Sequence, residues 1–182
     1  MRPLRRALVA AAIGGIAAAA GYGTHLWRIG GIGAKSADDA AQAILESRLT
    51  TLDGVTQTLE GFRGRILIIN YWATWCAPCR EEIPMFIRLQ QELSGNGVQF
   101  IGIAVDQADK VLDFSREFGI NYPLFLGGID AVELSRRAGN RAGVLPYTLI
   151  LDRSGVIRAS LVGELTEARI RGELQALLSA TG

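Results

Sequence analysis

Cys76 and Cys79 are the only cysteines in the 182-residue chain, and two residues separate them. They follow an apolar run, residues 66–70, which is too short for an independent helix and predicts a buried strand. An amphipathic segment after the cysteines reaches about Leu93 and predicts a helix. A Cys-x-x-Cys pair at the junction between a strand and a helix is typical of a dithiol–disulfide redox centre.

This junction predicts different roles for the two sulfur atoms. Sulfur attacks as a thiolate, and the unpaired N–H groups and positive dipole end of a helix's first turn lower the thiol pKa from about 8.5. We therefore expect Cys76 to be the exposed, acidic attacking residue. Cys79, one turn in, is expected to be shielded and to resolve the mixed disulfide. Pro78 falls early in the helix, where its missing N–H costs little.

A static disulfide and half of a metal site are the structural alternatives for the cysteine pair. A zinc site needs about four ligands, and the single histidine, His25, lies outside this region. Haem attachment requires a histidine directly after the second cysteine, where Arg80 stands. The redox interpretation is therefore favoured, with no metal and no cofactor predicted.

Residues 68–84 resemble the thioredoxin superfamily, through the run Trp-Ala-Thr-Trp-Cys-Ala-Pro-Cys and a proline further along the helix, Pro84. From about residue 41 to 180 the chain resembles the TlpA/ResA-like branch of that superfamily. The resemblance implies an α/β, thioredoxin-like fold: a central mixed sheet flanked by helices, with an N-terminal β-hairpin and a central helix–strand insertion. Peroxiredoxin chemistry is not expected, because its nucleophile lies in a different, threonine-containing motif.

Local patterns agree with this fold. Asp53-Gly54 predicts the turn of the N-terminal hairpin, and residues 55–59 are predicted to be its returning strand. Residues 98–105 predict a second buried strand, and the intervening helix predicts a right-handed crossover to a parallel neighbour. The remaining predicted elements are a helix from 106–109 onward, a strand within 119–126, a helix over 130–139, a strand over 146–151 that Pro146 opens, a strand over 156–162, and an amphipathic helix over 165–178.

Glu82 is a candidate proton-transfer residue. Thioredoxins commonly carry a buried Asp six residues before the first cysteine, but this chain has Asn70 there, which is no carboxylate base. Glu82 shares the buried helix face with Cys79 at i, i+3, whereas Glu81 lies on the solvated face. Partial burial raises a carboxyl pKa and allows proton exchange with Cys79 near neutrality, a role that the resemblance also implies. The alternative is an ordinary exposed acid favoured by the helix dipole.

Pro146 and Leu145 are candidates for binding a substrate. The resemblance implies a cis proline that faces the cysteines and turns the Leu145 backbone outward to pair with an incoming peptide. The alternative is a trans proline that only begins a strand. Trp75 is predicted to form an exposed docking patch beside the attacking sulfur, and Trp72 to pack in the core. The predicted substrate-binding residues are Trp75, Ala77, Pro78, Leu145 and Pro146.

The N-terminal segment predicts export. Three arginines precede an uncharged, alanine-rich run over residues 7–23, a charge order that leaves the start of the chain in the cytoplasm. The run is at the short end of what spans a bilayer. Ala18-Ala19-Ala20 also fits a cleavage site, so a removed signal peptide is the alternative to the favoured retained anchor. The predicted divisions are an anchor or signal peptide at 1–28, a flexible linker at 29–40 and a thioredoxin-like domain at 41–182.

The charge distribution argues against nucleic-acid binding. Residues 1–28 hold four of the 19 basic groups and none of the 18 acidic ones, which leaves 15 against 18 in the remainder. A mildly acidic domain without a basic cluster gives no reason to expect nucleic-acid binding.

The predicted activity is thiol–disulfide exchange with protein disulfides, performed by an inner-membrane protein whose domain lies in the periplasm. No positively charged donor lies between the cysteines, which favours a reductant with a potential nearer about −270 mV than about −120 mV. A reductant there needs a membrane thiol-transferring electron donor, and the resemblance implies apocytochrome c or copper-site cysteines as targets. The alternatives are a general disulfide oxidase or isomerase, and a non-enzymatic Cu(I)-binding module that uses both thiolates.

Overall fold

The computed structural model describes residues 38–179, which form one mixed sheet covered by helices. The helices are α1 (residues 38–46), α2 (Ala77–Leu93), α3 (Ala108–Phe118), α4 (Ile129–Arg137) and α5 (Glu167–Ser179). The strands are β1 (Leu49–Thr51), β2 (Thr56–Gln57), β3 (Ile66–Trp72), β4 (Val98–Ala104), β5 (Leu124–Leu126), β6 (Tyr147–Leu151) and β7 (Ile157–Val162).

The strand order across the sheet is β2-β1-β5-β4-β3-β6-β7. Strands β3, β4 and β5 run parallel, whereas β6 and β7 at one side, and β1 and β2 at the other, pair antiparallel with their neighbours. The predicted architecture is confirmed: a mixed sheet flanked by helices, with an N-terminal hairpin (β1–β2) and the α3–β5 insertion.

All seven residues of β3 are buried, and all but Asn70 are aliphatic or aromatic, because both faces of the sheet are covered. Ile66, Ile68 and Trp72 pack against one helical layer, which includes α2, α3 and α5. Leu67 and Ile69, which alternate with them, pack on the opposite face with residues of α1 and α4. Side chains alternate along a strand, so Asn70 points to the same face as Ile68 and Trp72, the face covered by α2.

Two predicted strands are shorter in the structure. The chain after β2 forms a single-turn 3-10 helix, Leu59–Phe62, and buries Leu59. Within residues 119–126 only Leu124–Leu126 pairs, because the stretch before it turns back from α3 through Gly119 with a left-handed backbone (φ 67°).

The predicted anchor or signal peptide, residues 1–28, lies outside the described residues, as does most of the predicted linker at 29–40. Its last three residues are helical, and Ala40 is buried against the sheet. No helix within residues 38–179 has the length and apolar character needed to cross a membrane.

Candidate active site

Cys76 is the N-cap residue of α2. Its backbone is extended (φ −86°, ψ 105°), and its Sγ accepts a hydrogen bond from the Cys79 N–H at 3.4 Å. Its carbonyl accepts the N–H of Arg80 at 3.2 Å, which closes the first helical turn. Pro78 lies at the second helical position, where no N–H is needed. The predicted placement of the pair at the leading end of a helix is confirmed, and the cap geometry directs an N–H group at the sulfur of Cys76.

The two cysteines form a disulfide with an S–S distance of 2.06 Å. Cys76 is 6% exposed and Cys79 is completely buried, so the order of exposure is as predicted. The expectation that Cys76 is exposed is nevertheless wrong for this disulfide form. Both residues lie in the hydrophobic cluster between α2 and the sheet, which leaves only an edge of Cys76 open to solvent.

Glu82 is buried on the α2 face that meets the sheet, three residues after Cys79, and is 2% exposed. Burial raises its pKa to about 7; two hydrogen bonds to the carboxylate, from Leu165 N–H and from Asn70, oppose the rise, and the charge of Glu164 adds to it. The predicted position of Glu82 on the buried helix face is therefore confirmed, and its burial is more complete than predicted. The alternative of an exposed surface acid is wrong.

Glu82 is held by Asn70, which is in turn held by Thr148, and sequence reasoning missed these two residues. They are directly opposed on β3 and β6. The Asn70 amide donates to Glu82 Oε1 at 2.8 Å and to Thr148 Oγ1 at 3.0 Å, while Leu165 N–H donates to Glu82 Oε2 at 3.0 Å. A polar residue within each of two buried strands was the available signal, since buried polar groups need partners.

Asp106 fixes the loop that precedes Cys76 and was likewise missed. Its carboxylate accepts the backbone N–H of Thr74 at 3.1 Å and the Thr74 hydroxyl, and it also accepts Gln107 N–H at 2.8 Å. These hydrogen bonds outweigh partial burial and hold its pKa below the usual range. The signal was positional: Asp106 follows β4 just as Thr74 follows β3, and parallel strands end at the same edge of a sheet.

The predicted peptide-binding segment also lies at this edge. The Leu145–Pro146 peptide bond is cis, as the resemblance implied. Pro146 is buried, and its carbonyl accepts the N–H of Gly163 at 2.9 Å. Within the described part of the chain, no hydrogen bond engages the N–H or C=O of Leu145.

The two tryptophans just before the cysteine pair, Trp72 and Trp75, lie where they were predicted. Trp75, directly before the attacking cysteine, is 68% exposed. Trp72 is buried, with its ring 5.2 Å from that of Phe114. Of the other predicted binding residues, Ala77 is exposed and Pro78 is half-buried.

The site therefore combines a disulfide at a helix N-terminus, a buried carboxyl group whose pKa is raised by burial, and an edge where the N–H and C=O of Leu145 have no hydrogen-bond partner among residues 38–179. Among residues 38–179 there is no cluster of three or more His, Cys, Asp or Glu side chains suited to a metal ion. The arrangement suits thiol–disulfide exchange, in which one sulfur attacks and a nearby group moves a proton.

Comparisons with known proteins agree with this chemistry. The family model described as the AhpC/TSA family matches residues 39–160. The chain is 30% identical over 130 residues to the thiol-disulfide oxidoreductase ResA of Geobacillus kaustophilus, covering 71% of this chain and 72% of that protein. It is also 30% identical over 132 residues to the thioredoxin-like protein YneN of Bacillus subtilis, covering 69% and 73%.

Solved structures give the same result for the fold. A thiol:disulfide interchange protein from Chlorobium tepidum superposes with a TM-score of 0.64 at 27% identity, covering 73% of this chain and 95% of that one. A secreted thiol-disulfide isomerase from Corynebacterium glutamicum has a TM-score of 0.66 at 27% identity, with 74% and 84% covered. The predicted thioredoxin-like fold and the ResA-like resemblance are confirmed.

Proposed function

The chain belongs to the AhpC/TSA family and is a thiol–disulfide oxidoreductase similar to ResA, and from this premise we propose that Cys76 and Cys79 are its redox centre. The observation that carries the proposal is the cap: the Cys79 N–H points at the Cys76 sulfur at the positive end of α2. That arrangement stabilises a thiolate on Cys76 after reduction.

The reaction proceeds in two exchanges. The Cys76 thiolate attacks one sulfur of a partner's disulfide, which forms a mixed disulfide and releases the partner's other sulfur as a thiolate. The Cys79 thiolate then attacks Cys76 Sγ, which re-forms the Cys76–Cys79 disulfide and releases the second partner thiolate. Two electrons pass from the dithiol to the partner, and the two thiol protons end on the product thiols.

Glu82 acts in the second exchange, where the buried Cys79 thiol must lose its proton. A carboxylate with a pKa of about 7 is divided between its two protonation states near neutral pH, so it can both accept and return this proton. Its two hydrogen bonds hold the carboxylate on the Cys79 side of the helix.

Substrate docks at the edge formed by Trp75, Ala77, Pro78, Leu145 and Pro146. The N–H and C=O of Leu145 have no hydrogen-bond partner among residues 38–179, which supports their pairing with an extended partner segment as an added strand. The exposed indole of Trp75 supplies apolar surface beside the attacking sulfur.

In the cell the protein acts as a reductant outside the cytoplasm, on specific protein disulfides such as those of apocytochrome c or copper-site cysteines. A secreted relative of known structure supports the compartment. The N-terminal segment attaches the domain to the inner membrane, where a thiol-transferring membrane protein supplies the electrons.

Two measurements on the full-length protein test this proposal. Cys79→Ser should accumulate a mixed disulfide on Cys76 with its partner, and Cys76→Ser, the matched control, should accumulate none. Equilibration with glutathione buffers should give a potential below about −180 mV, whereas a higher value assigns the protein to disulfide oxidation or isomerisation instead. Absence of any trapped adduct in Cys79→Ser contradicts the assignment of Cys76 as the attacking residue.

A further inference from the structure

Five large apolar side chains are conspicuously exposed within residues 38–179. They are Val55 (54%), Trp75 (68%), Ile129 (88%), Val144 (41%) and Val162 (59%). The topology brings all but Val55 to a single edge of the sheet, the edge at which the disulfide lies.

Strand register establishes this clustering. Trp72, Ala104 and Leu126 form one row across the carboxyl ends of β3, β4 and β5. Trp75 comes three residues after Trp72, and Ile129 comes three residues after Leu126.

Beyond β3, the antiparallel strands β6 and β7 continue this row at the same edge of the sheet. Tyr147, the first residue of β6, pairs with Tyr71 near the end of β3 and with Val162 at the end of β7. Val144, three residues before β6, is therefore at the same edge. Val55 follows the turn between β1 and β2, at the opposite edge, because β1 runs antiparallel to β5.

The backbone beside each of three exposed side chains is anchored. The side chain of Asn140, 1% exposed, both donates to the Val144 carbonyl and accepts the Val144 N–H, each at 3.0 Å. Asp106 holds Thr74, the residue before Trp75. An apolar group on a fixed backbone loses little conformational entropy when a partner covers it, which favours binding.

Ile129 is presented in the same way at the start of α4. Gly127 N–H donates to the Ala104 carbonyl at 2.7 Å, and a Cβ on Gly127 would lie within 2.7 Å of Ala131 Cβ and within 2.6 Å of Ile103 Cγ2. This close packing fixes the entry to α4, while the Ile129 side chain stays almost completely in solvent.

We propose that Ile129 is a specificity-determining residue at the far end of the edge where substrate docks. The substrate segment that binds there is an extended part of a disulfide-bearing protein, with apolar residues on both sides of its cysteine. This inference rests on the proposed function and deepens it. From β5 to β7 the edge crosses four strand spacings, about 19 Å, which an extended segment of about six residues covers. Cys76 follows β3, between Ile129 on one side and Val144 and Val162 on the other, so apolar contacts are available on both sides of the reacting sulfur.

The test compares Ile129→Ser with Val55→Ser, a matched loss of an exposed apolar side chain at the opposite edge. Each reduced, full-length variant reacts with a peptide disulfide whose cysteine is flanked by valines, with the same peptide carrying serines, and with hydroxyethyl disulfide. The appearance of free thiol is followed by quenching and mass spectrometry. Circular dichroism verifies folding.

We expect Ile129→Ser to lower the second-order rate constant for the valine peptide by about tenfold, and to leave the rates with the serine peptide and hydroxyethyl disulfide unchanged. Val55→Ser should react at the wild-type rate with all three disulfide substrates. Equal rates for Ile129→Ser and Val55→Ser with the valine peptide, or no preference of the wild type for valine over serine, overturn the inference. A wild type that cannot reduce hydroxyethyl disulfide overturns the proposed function itself, and the inference with it.

Discussion

The side-chain amide of Asn70 donates a hydrogen bond of 2.8 Å to the carboxylate of Glu82, across the interface between β3 and α2. The same amide donates to Thr148, so Glu82 is fixed by a residue that is itself held from the next strand. The amide cannot ionise, and Glu82 is consequently the titratable side chain in this buried trio. Its charge also helps burial to raise the pKa of Tyr122, which keeps that hydroxyl neutral.

Replacing Glu82 with Gln should slow disulfide exchange by at least about tenfold near pH 7, because the buried proton acceptor for Cys79 is lost. The wild type should show an inflection near pH 7 in its rate profile, and Glu82→Gln should lack it. Glu81→Gln is the matched control, since Glu81 is exposed on the same helix. Stopped-flow kinetics from pH 5 to 9 measure both variants, and identical profiles for Glu82→Gln and the wild type would remove Glu82 from the mechanism.

The same carboxyl group should make the stability of the disulfide form depend on pH. Its pKa is about 7 when folded against 4.5 for an unburied glutamate, so the folded state binds a proton more tightly. The contribution of Glu82 is complete below pH 4.5 and is lost as the pH rises through 7, a decrease of about 3 kcal/mol in the free energy of unfolding.

Urea unfolding at several pH values tests this linkage by the difference between the wild type and Glu82→Gln. The variant should lack the decrease between pH 4.5 and 7, although losing one hydrogen bond to Asn70 or Leu165 should lower its stability by a constant amount. Asp106 and Asp152 have lowered pKa values, so their contributions are lost as the pH falls below this window. Parallel curves for the two proteins would contradict the assigned pKa.

Substitutions of the two tryptophans of the motif should have different effects, one on substrate docking and the other on stability. Trp75→Ala removes a side chain that is 68% exposed, and should change the free energy of unfolding by less than about 0.5 kcal/mol while slowing exchange with protein disulfides. Trp72→Ala removes a buried side chain and should cost about 3–5 kcal/mol. Thermal unfolding together with exchange rates toward a protein and a small disulfide distinguishes the two effects. A stability loss in Trp75→Ala comparable to that of Trp72→Ala would be the opposite result.

The hydrogen bonds between Thr74 and Asp106 should couple the loop before Cys76 to the end of β4. A double-mutant cycle with Thr74→Val and Asp106→Asn should give a coupling free energy of about 1 kcal/mol, since the hydroxyl bond is partly solvated. Urea unfolding measures the coupling. Additive effects of the two substitutions would show that the hydroxyl contributes nothing beyond the backbone bond.

Local features of the sequence were sufficient to predict where the cysteine pair and Glu82 lie. The spacing of Cys76 and Cys79 identifies the dithiol, and the change from a buried strand to an amphipathic helix locates it at a helix N-terminus. Helical periodicity alone puts Glu82 on the buried face. These predictions succeed because the period of a helix and the chemistry of its first turn depend on residues a few positions apart.

Only the tertiary structure decided how that chemistry is enclosed. The hydrogen bonds that fix the Glu82 network join residues 12, 78 and 83 positions apart, and they depend on strand register rather than on local pattern. The burial of Cys76 and the gathering of Ile129, Val144 and Val162 at one edge likewise follow from which strands neighbour each other and in which direction. The periodicity of a sequence shows which side of a helix or strand is buried. Which residues that side packs against is decided only when the whole sheet has formed.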